Sequence, residues 1–159
     1  MKQKPYRAFG YVIYKNSWTS GEAYRPIYPE NLKRWNLFTV GSLIDNVFDD
    51  GQTLPDYHAG DWLGPSDMTI HGICNQTPVN NPELWCVTAE ENRDYLPDCE
   101  KWELSAGSST TLPVGTKLMF VHGSMTLNGK TINKQTQIKV KTADATVVAA
   151  EQCYGIKFV

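Results

Sequence analysis

Histidine is scarce in this chain, with three residues in 159 (His58, His71 and His122) and no His-Glu-x-x-His among them. That removes the commonest zinc-peptidase pattern. The four cysteines, Cys74, Cys86, Cys99 and Cys153, form no Cys-x-x-Cys, and their gaps are too wide for a zinc knuckle or ribbon. They are expected as buried free thiols, with a disulfide among Cys74, Cys86 and Cys99 as the alternative. The chain also lacks a Gly-x-Ser-x-Gly elbow and a glycine-rich phosphate loop ending in Lys-Ser/Thr, so the common nucleophile and nucleotide motifs are missing. No apolar run approaches membrane-spanning length, and Met1 to Pro5 is not followed by the apolar core of a signal peptide. Membrane insertion is therefore not expected, and the expected location is the cytoplasm or a virion. No Lys/Arg cluster is interleaved with aromatics, and the pI of ≈ 5.9 leaves little affinity for phosphate, so nucleic acid is not an expected partner.

What is present is β-type sequence. Hydrophobic residues at 41% and charged residues at 20% are globular values, and the length suits one domain with a core of its own. Leu127-Asn128-Gly129-Lys130 carries the Asn-Gly pair of a two-residue type I′ turn between alternating apolar positions, which predicts a hairpin. Gln137 to Lys141 alternates with period two, and Thr146 to Ala150 and Tyr154 to Val159 continue in the same manner, predicting an antiparallel meander over 102–159. Upstream, Tyr11 to Tyr14, Leu37 to Val40, Met68 to Cys74, Leu84 to Thr88 and Lys101 to Leu104 read as short strands. Asn31 to Trp35 reads as a helical turn, and Ser42 to Phe48 as helix or strand. Pro78, Asn80, Asn81 and Pro82 read as a loop.

The order of a Pro-Gly corner, an apolar strand, Val-x-Gly, a second apolar strand and Asn-Gly-Lys resembles the middle of the small β-barrel of cupins. Phe120 to Ser124 with Leu127 to Lys130 is the matching segment. The resemblance implies an all-β fold, a cupin-like jelly-roll barrel or sandwich with an irregular, loop-rich N-terminal arm. Metal-using cupins carry a His-x-His pair just before this strand. The corresponding place here holds Ser109 to Pro113, without histidine. The resemblance thus supports the fold and argues against the usual chemistry of the family, and no cofactor is expected.

Charge divides the single domain into a basic, aromatic-rich arm (1–35, net +5), an acidic, loop-rich middle (36–103, net −11) and a basic remainder (104–159, net +4). The cupin-like part begins within the end of that middle, at residue 102. Such asymmetry suits a surface complementary to a second copy or another structural subunit. Tyr6, Arg7, Phe9, Tyr11, Tyr14, Trp18 and Tyr24 are the expected interface residues, because aromatic anchors dominate interface energy; the alternative is that the arm pairs with its own barrel as an extra strand. For a metal, the candidate donors are His58, His71 and Asp61, since imidazole and carboxylate suit zinc, iron or manganese. The simpler assignments are a structural His71 in a strand and a solvent-exposed His58 in a turn. His122 belongs to the Val-x-Gly corner. Without a nucleophile or a paired acid and base, the first reading is a non-enzymatic structural or assembly protein, of the type found as a virus or phage decoration, tail or fibre component. The alternative is a cupin-type module binding a sugar or other small polar ligand, with glycan as a candidate partner. The third is a degenerate metal-dependent cupin enzyme.

Overall fold

The computed structural model describes residues 1–28, 33–64, 71–89 and 96–159, which cluster into two compact units, Met1–Pro97 and Asp98–Val159. The described elements are all β-strands, joined by turns and loops. In the first unit, Lys2–Ala8 (β1) and Tyr11–Ser17 (β2) form a hairpin turned at Phe9 and Gly10, both at positive φ. The arm is thus a regular two-stranded element. Its second strand pairs with the C-terminal half of an 18-residue strand, Gly72–Ala89, which on its other side pairs along the length of Trp35–Phe48. In chain order Ile27–Tyr28 is β3, Trp35–Phe48 is β4, Tyr57–His58 and Trp62–Leu63 are β5 and β6, and Gly72–Ala89 is β7. The sheet runs β1-β2-β7-β4-β5, with β3 on β7 and β6 on β4.

Residues 78–82, expected as a loop, instead lie within β7. Asn80 and Asn81 both take left-handed backbone, a region asparagine tolerates, so the strand bends without ending. Asn81 is held there by Ser20: its backbone N–H donates to Ser20 Oγ at 2.9 Å, and its Oδ1 accepts from Ser20 N–H at 2.9 Å. The bend sits where the β4 register shifts, at Gly41 (φ +65°), whose backbone lies close under Val79, Asn80 and Pro82. Ser42 to Phe48, ambiguous between helix and strand, is the end of β4, because β7 supplies its hydrogen bonds. The helical turn expected over 31–35 and the strand expected over 68–74 each fall partly outside the described residues.

Alternation gives the first-unit sheet two different faces. One carries Ile13, Leu37, Trp85 and Val87, all fully buried. On the other, Trp18, Phe38, Leu43, Phe48, Tyr57 and Cys74 belong to one buried cluster.

The second unit comprises Cys99–Leu104 (β8), Ser109–Leu112 (β9), Lys117–His122 (β10), Met125–Leu127 (β11), Lys130–Ile132 (β12), Thr136–Lys139 (β13), Ala145–Ala149 (β14) and Cys153–Phe158 (β15). The hairpin at Asn128-Gly129 forms as expected, with Leu127 opposite Lys130 and φ of 48° and 81° at the two turn residues. The strands do not run as a meander. They alternate between two four-stranded antiparallel sheets, β13-β10-β15-β8 and β12-β11-β14-β9, so that each successive connection, the β11–β12 hairpin apart, passes from one sheet to the other. This is jelly-roll topology. Alternation in β14 explains the packing, since Ala145, Val147 and Ala149 are buried while Thr146 and Val148 are exposed. The interior is closed by Leu112, Leu118, Phe120, Met125, Val147 and Cys153 with their neighbours, an apolar filling.

Candidate functional site

Three strands of the first unit place polar side chains where the period of the sheet turns them towards its interior. Across β2, β7 and β4, one row of register partners reads Tyr14, Cys86, Asn36, and the next reads Asn16, Leu84, Phe38. Asn16, Asn36 and Cys86 therefore share a face with core residues, and all three are buried. They satisfy one another. Gln3 Nε2 donates to Asn16 Oδ1 at 2.9 Å, Asn16 Nδ2 donates to Cys86 Sγ at 3.2 Å, and the Cys86 thiol donates to Asn36 Oδ1 at 2.8 Å. Burial pushes this thiol up, while Arg34 and Asn16 pull it partly back, so it stays protonated with its hydrogen committed to Asn36. A thiol held this way is a structural donor and not a nucleophile.

This network forms one wall of a cavity whose other sides include Trp18, Tyr28, Arg34 and Gln76. Its volume, counted for the centres of water-sized molecules, is ≈ 80 Å³. One water needs about 10–15 Å³ on that measure, so the cavity admits a small molecule. Met1, Gln3 and Ile27, the exposed members of the lining, mark its mouth. Met1 and Trp18 also line an open groove of ≈ 570 Å³ with Lys2, Ser17, Thr19 and Glu22, so cavity and groove adjoin.

Three buried polar atoms in the cavity lining have no hydrogen-bond partner: Trp18 Nε1, Gln76 Oε1 and Arg34 Nε. The other end of the Gln76 amide is engaged, Nε2 donating to Tyr28 Oη at 3.0 Å. Turning the amide over exchanges the roles and still leaves one end unpaired. Burial pushes the phenols of Tyr24 and Tyr28 up, and Arg34 pulls Tyr24 partly back. Both phenols are therefore neutral at physiological pH.

The candidate metal donors do not meet. Asp61 lies in the same turn as His58, where Asp61 Oδ2 accepts the His58 backbone N–H at 2.8 Å; His58 Nδ1 is 2.8 Å from Ser42 Oγ. His71 stands exposed just before β7. Among the described residues no three His, Cys, Asp or Glu side chains converge to hold a metal. The described residues thus do not supply the donor set that a cupin metal needs. His122, half-buried, has its ring 6.2 Å from that of Tyr154.

The arm residues lie within the first unit. Tyr6 and Arg7 are on β1, Tyr11 and Tyr14 on β2, and Phe9 is at the turn between them. The Tyr6 ring packs on Trp85 with centroids 5.3 Å apart, and Trp18 meets Tyr24 edge-on at 5.2 Å. Trp18 is buried, and Tyr14 and Tyr24 pack against the core cluster. All four cysteines are buried free thiols.

No family model and no curated protein matches the sequence. Solved structures match it in fold. HutD from Pseudomonas fluorescens superposes with a TM-score of 0.52 at 9% identity, over 93% of this chain and 78% of that one. The bacterial pirin YhhW from Escherichia coli, solved in complex with nickel(II), gives 0.50 at 11% identity, over 92% and 80%. A cupin 2 conserved barrel domain protein from Leptotrichia buccalis gives 0.45 at 13% identity, over 98% and 86%. The fold is cupin-like. The resemblance read from Phe120 to Lys130 therefore holds for the fold, which is as far as identities this low reach. The likeness lends no support to a virus or phage component. Among the described residues, no helix is long and apolar enough to cross a membrane.

Asn16, Asn36 and Gln76 are not among the site residues expected from the sequence. A signal existed: each stands two positions from an inward-facing aromatic or thiol (Tyr14, Phe38 and Cys74), in phase with the core.

Proposed function

We propose that this cupin-like chain is a binding module that holds a small polar ligand in the cavity of the first unit. The observation that carries the reading is the set of buried polar atoms left without partners there, Trp18 Nε1, Gln76 Oε1 and Arg34 Nε. Each buried group left unsatisfied costs about 1–3 kcal/mol, and a polar guest that pairs with them recovers that cost. The described core of the second unit, by contrast, is an apolar cluster. The cavity has an adjoining groove, so a ligand with a compact polar head and a larger remainder suits it.

The test is a thermal-shift series on the full chain with small carboxylates, amides, polyols and monosaccharides. A ligand at about 100 times its Kd adds about 2.7 kcal/mol to stability, which at this chain length raises Tm by about 5–10 °C. The rise should disappear in Gln76→Leu. A flat profile across the whole series would remove the reading.

A second reading, self-association, is favoured by one feature. Ile27 of β3 and Ile73 of β7 are register partners, 74% and 39% exposed, and Val47 of the adjoining β4 is 40% exposed. Exposed β-branched residues on a short edge strand suit burial against a second copy. Native mass spectrometry should then show a closed oligomer that Ile27→Asp disperses; a monomer of the unmodified chain would exclude it.

A further inference from the structure

We infer that the ligand of this cavity carries a carboxylate, seated against the Arg34 guanidinium and the Trp18 indole N–H. The inference rests on the binding-module reading and specifies the chemistry of its guest. Among the described residues lining the cavity, Arg34 is the single charged side chain, and none is Asp or Glu. Arg34 has no ion-pair partner among the described residues, and its Nε is buried and unpaired. Every other potential anion in the lining is neutral, since burial holds the Tyr24 and Tyr28 phenols and the Cys86 thiol in their protonated forms. A cation half withdrawn from water with no counter-charge is expensive, and a planar anion that can bridge two N–H groups relieves it best.

The remaining hydrogen-bonding capacity points the same way. The acceptors of the back wall are already used: Asn16 Oδ1 by Gln3, and Asn36 Oδ1 by the Cys86 thiol. What is left open is two donors, Arg34 Nε–H and Trp18 Nε1–H, and one end of the Gln76 amide. Trp18 is 5% exposed and Gln76 5% exposed, so bulk water does not supply the missing partners. Two donors, one positive charge and an amide end that takes either role describe a receptor for a carboxylate, with a hydroxyl or carbonyl beside it meeting Gln76. Because Trp18 also lines the groove, the rest of the molecule leaves the cavity past the indole towards Lys2 and Thr19.

The experiment uses the full chain labelled with ¹⁵N-tryptophan. The Trp18 indole resonance is assigned as the one that vanishes in Trp18→Phe, which keeps a ring in place. Acetate is titrated first, then acetamide, its neutral isostere. The expected result is a saturable downfield shift of the Trp18 N–H with acetate, binding about tenfold or more weaker for acetamide, and a similar loss of acetate affinity in Arg34→Gln. Equal responses to acetate and acetamide would overturn the carboxylate assignment while leaving a polar-ligand module standing. No response of the Trp18 N–H to saturating acetate would also overturn it, and the thermal-shift series then decides the broader reading separately. Should Arg34→Gln fail to fold, the acetate-to-acetamide ratio on the unmodified chain decides the matter alone.

Discussion

Gly41→Val is expected to prevent the first unit from folding. Gly41 sits at φ +65°, a conformation that costs a β-branched residue roughly 1–3 kcal/mol before any contact is considered. A Cβ there would stand 2.5 Å from the Val79 carbonyl oxygen, 2.7 Å from that of Asn80 and 3.0 Å from Pro82 Cα. All three are backbone atoms of β7, at the bend that Asn80 and Asn81 create, so no rotamer change relieves the overlap. The combined penalty exceeds about 4 kcal/mol, a range reached by few single substitutions. Tm should fall by more than about 10 °C, or the protein should be recovered insoluble. Gly129→Ala supplies the comparison: φ is +81°, but nothing lies within 4 Å of the added Cβ, so strain alone acts and the loss should stay near about 1 kcal/mol. Equal melting of the two variants would show that the close approach of β4 and β7 at Gly41 is not a requirement of the fold.

Above pH 9 the protein should lose stability steeply. Burial pushes the Cys74 thiol from its ordinary 9.0 up to about 11 and the Cys99 thiol to about 12, the latter helped by Asp98 and Glu100. Burial also raises the thiols of Cys86 and Cys153 and the phenols of Tyr24 and Tyr28. A folded-state value above the unfolded one means that the native chain keeps a proton where the unfolded chain has released it. The contribution is complete below the unfolded values and disappears as the pH rises through the folded ones. With six groups acting in the same direction, Tm should fall by more than about 10 °C between pH 9 and about pH 11. Cys74→Ala with Cys99→Ala should flatten that part of the profile. A Tm unchanged across this window would show that these groups ionise within the folded protein.

Much of the second unit was legible locally. The Asn128-Gly129 turn, the alternation of β14 and the apolar run of β15 depend on neighbours in sequence, and each lies where the pattern put it. The order in which the strands pair was not legible, because alternation tells which face is buried and not which strand lies alongside. The same limit hid the continuity of β7. Pro78, Asn80, Asn81 and Pro82 are turn residues by composition, and only pairing with β4 on both sides of the bend keeps them in a strand. Ser42 to Phe48 was settled by the same partner. For the site, spacing drew attention to His58, Asp61 and His71, yet only His58 and Asp61 share a turn, and no three such donors converge among the described residues. The cavity draws instead on Asn16, Asn36, Cys86 and Gln76. Their phase with the core is visible in each segment, but they become a set only when register places Tyr14, Cys86 and Asn36 in one row.

That row also governs when the cavity can exist. The Asn16–Cys86 bond joins residues 70 apart, Cys86–Asn36 spans 50, and Gln76–Tyr28 spans 48. During synthesis the β1–β2 hairpin can supply the Gln3–Asn16 bond by itself, but the rest of the wall closes only when β7 arrives between β2 and β4. Folding dominated by such distant pairings takes place on the scale of about milliseconds to seconds. The proposed ligand would therefore meet no complete site on the way. It would act on the finished unit alone, lengthening the life of the native state without guiding the chain towards it.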